Sequence, residues 1–141
     1  MPAPFVHLRV HSAYSLAEST LRLKSIVALA GGDSQPAVAI TDTNNMFGAL
    51  EFSEKMRESG VQPIIGLECI IADSRGRGEV VLLAQSEAGY EALCRHNSRA
   101  LLEVEGGDDP VIRLESLAGG GEGLILLTGG AVQGFVGAAA V

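Results

Sequence analysis

Three ionisable side chains, His7, Arg9 and His11, occupy every second position of the stretch FVHLRVHSAYS at residues 5–15. Phe5, Val6, Leu8 and Val10 give that stretch the apolar, β-branched character of a strand. Side chains alternate along a strand, so His7, Arg9 and His11 share one face, with Leu8 and Val10 on the other. Such a face is either the rim of a site or a solvated edge, and spacing alone leaves both open. Three more polar groups fall where strands should end or turn: Asp42 with Thr43, Asn44 and Asn45; Glu68; and the Thr128-Gly129-Gly130 turn. In parallel α/β folds the carboxyl ends of the strands form the functional rim. His11, Asp42 and Glu68 are therefore expected to converge, and imidazole with carboxylates suits Zn, Mn or Fe.

Each group also has a plainer reading. His11-Ser12 could simply open a turn, and Asp42 fits the N-cap of the following helix. Glu68 is harder to explain away, because a carboxylate inside IIGLECII needs a partner or a metal. Gly129-Gly130 could cradle a phosphate at a helix N-terminus, although many ordinary turns share that pattern. His96 falls mid-helix and reads as a surface or boundary residue.

The elements that must carry these groups follow from periodicity. Ser15 and Glu18 stand at capping-box spacing, and Leu23, Ile26, Val27 and Ala30 form one apolar helical stripe that Gly31-Gly32 ends. Residues 36–41 (PAVAIT) read as a buried strand. A second helix is expected over 46–59, with Ala49, Phe52, Ser53 and Met56 inside, a Glu51–Lys55 pair outside and Gly60 at its end. Residues 62–72 form the next strand, 73–78 a polar turn and 79–85 another strand. Ser86 caps a third helix with Tyr90, Leu93, Cys94, Asn97 and Leu101 on one side. Residues 105–110 read as a loop, 114–118 as a helical turn, 119–121 as flexible, and 123–128 as a strand, and 131–141 begin another helix. The order β-α-β-α-β-β-α-β-α predicts an α/β protein with a largely parallel sheet or barrel.

Composition narrows the function classes. The 141 residues fit one domain or part of a larger one. With 47% hydrophobic, 19% charged and only 4% aromatic residues, the core must be aliphatic. The net charge of −7, with no basic cluster denser than Arg22/Lys24 or Arg75/Arg77, argues against autonomous DNA binding. Cys69 and Cys94 fit neither a metal spacing nor a disulfide framework and read as small buried residues in a reducing cytoplasm. Neither a signal peptide nor an apolar run of membrane length is present. The apolar, uncapped ending GFVGAAAV predicts that the sequence is the front portion of something longer.

Five blocks in order, FVHLRVHSAYSL, AITDTNNMFGALEF, GVQPIIGLECII, LLAQSEAGYEAL and GLILLTGG, closely resemble the start of bacterial DNA polymerase III alpha subunits, the N-terminal PHP (polymerase and histidinol phosphatase) domain. The resemblance implies a distorted seven-stranded (β/α) barrel, of which residues 1–141 would be about the first half. Members with an intact site hold a metal cluster on His and acidic side chains at strand ends and hydrolyse phosphoesters, described as proofreading exonuclease activity. Their first motif reads His-x-His and their second Asp-His. Here His11, Asp42 and Glu68 stand at ligand positions, while Arg9 and Thr43 stand where imidazoles would be.

A guanidinium is permanently protonated and has no lone pair for a metal. The resemblance therefore implies a dismantled metal site, with no catalytic residue, no bound metal and no cofactor of its own. Arg9 would pair with Glu68, Asp42 or both in place of the lost cation. It further implies a structural and partner-docking role beside the remainder of the alpha subunit, the epsilon proofreading exonuclease and other replisome subunits. DNA synthesis with Mg²⁺ would belong to domains outside these residues. A partial barrel with an open strand edge would self-associate. The alternative is a metal-dependent phosphoesterase or 3'-5' exonuclease with residual activity at His11, Asp42 and Glu68. A third reading is a generic phosphate-binding α/β domain using Gly129-Gly130.

Overall fold

The computed structural model describes residues 5–139. The apolar stripe of α1 (Leu23–Gly32) buries Leu23, Ile26 and Ala30. They meet Val38 and Ile40 of β1 (Ala37–Ile40) and Phe52 and Met56 of α2 (Ala49–Glu58) in one cluster. The helix α2 starts three residues later than periodicity predicts, because 44–47 is taken up by a turn. Asn44 is left-handed at φ +55° there, and the Phe47 N–H donates to Asn45 Oδ1. At its other end the Gly60 N–H bonds Arg57 O, as expected.

The hairpin of β2 (Gln62–Asp73) and β3 (Gly76–Ala84) forms the centre of the sheet, followed by α3 (Glu87–Glu103), β4 (Val111–Arg113), α4 (Leu114–Gly120), β5 (Leu124–Leu127) and α5 (Phe135–Ala139). The strand order is β1-β2-β3-β5, with β4 also on β2. The strands β1 and β4 run parallel to β2, while β3 is antiparallel to both β2 and β5. The sheet is thus mixed rather than largely parallel, because the tight 73–76 connection can only join antiparallel strands. Still, β1, β2, β4 and β5 all point one way. Residues 5–11 run extended beside β1 but form no regular ladder. Their contacts are a His7–Val38 bridge and bonds from the Ala39 and Thr41 N–H groups to the His7 and Val10 carbonyls, both 2.8 Å.

The two faces of the sheet differ. On one, Leu67, Cys69, Ile71, Val80 and Leu82 pack with Leu93 and Ala100 of α3, Leu117 of α4 and Phe135 of α5. The other carries Ala39, Val81 and Leu83 with Ile64 and Leu127, a cluster drawn from strands alone. Glu68 lies opposite Val81 in the β2–β3 register, and directly opposed residues share a face. Its carboxylate therefore emerges on the strand-only side.

The Ser86 hydroxyl caps α3 by accepting from the Gly89 N–H at 3.2 Å, as the sequence predicts. The helix is rotated from the expected orientation: Gly89, Ala92, Leu93 and Ala100 are buried, while Tyr90 and Leu101 are exposed. The cause is a backbone contact, since a Cβ at Gly89 would collide with Gly123 O. The three-residue β4 was not anticipated. Of the helix expected over 131–141, residues 135–139 are helical, and Ala140 and Val141 lie outside the described residues. Among the described residues no helix is long and apolar enough to cross a membrane.

Candidate functional site

Leu67 and Cys69 point into the helix-packed core, so alternation sends Glu68 the other way. Its backbone is fixed by the end of β1. The Glu68 N–H donates to Asp42 O at 3.1 Å, the Asn44 N–H donates to Glu68 O at 2.9 Å, and Thr43 bridges Glu68 in parallel. The side chain is buried at 5% exposure. Arg9 forks onto it, Nε to Oε2 at 2.5 Å and Nη2 to Oε1 at 2.7 Å, a bidentate charge-assisted pair. His11 Nε2 lies 2.9 Å from Glu68 Oε2, and His11 Nδ1 lies 3.2 Å from Glu18 Oε2. The Thr43 hydroxyl donates to that same Glu18 oxygen at 2.6 Å.

The electrostatics follow from these contacts. Burial by itself would raise the Glu68 pKa, but hydrogen bonds and charge from Arg9 and His11 outweigh it and hold the carboxyl below its ordinary 4.5. The Glu68 hydrogen bond raises Arg9 in return. Burial, assisted by the neighbouring Glu68 charge, pushes the Cys69 thiol up to about 12, so it stays neutral and unreactive.

Asp42 is equally hidden, at 2% exposure, but has different partners. Oδ1 accepts from the Ser12 N–H and the Ser15 hydroxyl, both at 2.6 Å, and Oδ2 from the Ser12 hydroxyl at 2.7 Å. Among the described residues Arg9 meets Glu68 and not Asp42. The reason is the register: Thr43 bridges Glu68 and shares its side, so Asp42, one residue earlier, faces the other. His11 and Ser12 divide in the same way. Convergence of His11, Asp42 and Glu68 is thus corrected to His11 with Glu68 only. Nor does Asp42 cap α2, whose N-cap is Gly48.

The capping-box reading of Ser15 and Glu18 also gives way, since α1 starts after Arg22 with no side-chain cap. Ser15 instead holds Asp42 and accepts from the Thr43 N–H at 3.1 Å, while Glu18 holds His11 and Thr43. Together with Ser12 these are the site residues the sequence reading missed. Their one signal is the spacing of Ser12, Ser15 and Glu18, three apart and directly after His11.

The remaining candidates lie elsewhere. His7 stacks edge-on against Phe5 with ring centroids 4.7 Å apart. His96 is a boundary residue whose Nε2 lies 3.1 Å from Gly120 O. The Gly129 turn is shaped by packing: φ is +79°, and a Cβ there would press on Glu79 O at 2.7 Å and Gly134 Cα at 2.8 Å.

Arg9 has no lone pair, both Glu68 oxygens and both His11 nitrogens are engaged, and Thr43 is committed to Glu18. Among the described residues no group of three or more His, Cys, Asp or Glu side chains is placed to hold an ion.

Comparison with known proteins places this geometry in context. The chain is 42% identical over 134 residues to DNA polymerase III subunit alpha of Caulobacter vibrioides, covering 89% of this chain and 12% of that protein. It is 35% identical over 144 residues to the same subunit of Pseudomonas fluorescens, covering 100% and 12%. The chain therefore spans about an eighth of the length of these curated relatives, as those 12% shares show. The fold is similar to that of a Bifidobacterium adolescentis protein described as a metal-dependent phosphoesterase, with a TM-score of 0.57 and 20% identity over 70% of this chain and 34% of that one. The PHP domain family matches residues 7–141. With sequence and architecture in agreement from His7 onward, the chain belongs to the PHP domain family.

Proposed function

We propose that this chain is the N-terminal PHP domain of a replicative DNA polymerase alpha subunit, and that it serves as a structural, partner-docking module whose metal site has been dismantled. The observation that carries the reading is the Arg9 fork on Glu68. A fixed, planar cation occupies the place where the family's metal chemistry would need a lone pair. It compensates a buried carboxylate that otherwise calls for a metal. The similarity to polymerase subunits supplies the context. DNA synthesis with Mg²⁺ is assigned to the rest of a cytoplasmic subunit, and the docked partner is its epsilon proofreading exonuclease, a division of labour in which hydrolysis is supplied in trans.

The test is metal analysis of the full-length subunit after dialysis against Mn²⁺ or Zn²⁺, followed by a nuclease assay with its polymerase site inactivated. The expected result is neither stoichiometric metal nor hydrolysis at this domain. A tightly bound transition ion with Mn²⁺-dependent cleavage would instead establish the phosphoesterase reading. For docking, the full-length subunit is passed over a sizing column with purified epsilon subunit, with and without this domain. Co-elution that survives removal of the domain overturns the assignment.

A further inference from the structure

On its outer side, away from Glu68, the strand-end cluster builds a surface. Asp42 accepts from the Ser12 N–H and hydroxyl there, and Ser12 Oγ in turn accepts from the Tyr14 N–H at 3.1 Å. The buried Asn45 then holds two aromatic residues at once. Its Nδ2 donates to Tyr14 O at 3.1 Å, and its Oδ1 accepts from the Phe47 N–H at 3.2 Å. The two rings meet edge-on with centroids 6.3 Å apart. Gly48 leaves the room that Tyr14 fills, since a Cβ there would stand 3.1 Å from the ring. This pair is fixed yet uncovered: Phe47 is 74% exposed, and Leu50, in the first turn of α2, is 72% exposed. Clustered apolar surface marks a contact site, and aromatic groups already held in place lose little freedom on binding.

Tyr14 also borders a groove of about 280 Å³ that Arg22, Lys24 and Glu51 line. Glu51 lies 3.8 Å from Lys55. Among the described residues neither Arg22 nor Lys24 has a carboxylate within ion-pair distance, in contrast to Lys55, Arg95 and Arg99. Both are exposed at the start of α1, where a helix favours carboxylates, and its first turn holds none. Two uncompensated cations in a chain of net charge −7 fit an anionic partner. We infer that Tyr14, Phe47 and Leu50, with Arg22 and Lys24 beside them, form the docking surface for an acidic protein segment that carries aromatic or aliphatic anchors. Two cations beside a groove carboxylate suit the spaced carboxylates of a peptide and are too few for a phosphate backbone. The inference rests on the docking role proposed above and names the face used and the chemistry of what it takes.

The test is fluorescence anisotropy of the full-length subunit with a labelled peptide in which Asp and Glu alternate with Phe and Leu. The expected result is saturable binding that weakens as salt rises. Phe47→Ser should weaken it about tenfold, as for the loss of an aromatic anchor. Arg22→Glu combined with Lys24→Glu should weaken it about tenfold at low salt. That double change should not lower the thermal midpoint, because carboxylates suit the start of α1. No binding, equal binding of the same peptide with Lys in place of its acidic residues, equal binding of an oligothymidine strand, or binding unaffected by these variants would each overturn the surface. So would binding lost only together with the thermal midpoint. Epsilon co-elution that survives removal of the domain sinks the docking role instead and leaves the patch-dependent peptide signal in place, so the two failures are distinguishable.

Discussion

Asp42 and Glu68 are neighbours through their backbones and almost equally buried, yet the protein stabilises their charges by different means. Glu68 receives a fixed cation and an imidazole. Asp42 receives one N–H and two hydroxyls, all neutral. The surroundings explain the difference. On the Glu68 side, Arg9 reaches in with its fork while 58% of its side chain remains in solvent, so its own desolvation is only partial. On the Asp42 side, Ser12 and Ser15 are 0% and 2% exposed, and their short hydroxyl donors reach the carboxylate directly. A buried carboxylate thus calls for enough donors and not necessarily for an opposite charge.

The sharpest way to break this comparison is Asp42→Ala. It strands three donors in a dry site and should cost about 3 kcal/mol in urea denaturation. A loss well under 1 kcal/mol would mean that water replaces the carboxylate and that the outer side is not dry. Arg9→Met should cost less, about 2 kcal/mol, because solvent takes over part of the compensation at a half-exposed guanidinium. Combining it with Glu68→Met should recover much of that, a coupling of about 1 kcal/mol or more. Strict additivity of the two changes would show that Glu68 never needed its cation.

The pH dependence sharpens the same contrast. The folded-state pKa of Glu68 lies below its unfolded value of 4.5, so its contribution is fully present above pH 4.5 and is lost as the pH falls through the folded value. Denaturation midpoints should decline along that acid limb, and Arg9→Met should flatten the decline. An unchanged acid limb in the variant would assign it to other carboxylates. The smallest effect is expected where a charge pair is exposed: Glu51 and Lys55 sit 3.8 Å apart on the surface of α2, and Lys55→Ala should cost only about 0.3 kcal/mol.

Much of the frame was legible in the chain. The α1 stripe, the inner face of α2, the Ser86 cap and the apolar strands all depend on local spacing, and the structure contains them. The short β4 was not legible, because three residues carry no periodicity and Val111–Arg113 becomes a strand only by lying on β2. The orientation of α3 was not legible either, because it depends on the Gly89–Gly123 approach, a contact between residues far apart in sequence. Ser15 and Glu18 have the local chemistry of a cap, but Asp42 and Thr43 compete for them and win, being close only in the folded chain.

The sequence alone determined that Arg9 and His11 would lie on one face and that Glu68, flanked by apolar residues, would need a partner. Alternation and the cost of burying a charge are local facts. Which carboxylate Arg9 meets was decided by tertiary structure, because the answer depends on how the end of β1 registers against β2. A shift of one residue in that register would put Asp42 in place of Thr43 beside Glu68, and no property of either strand by itself fixes how two strands align.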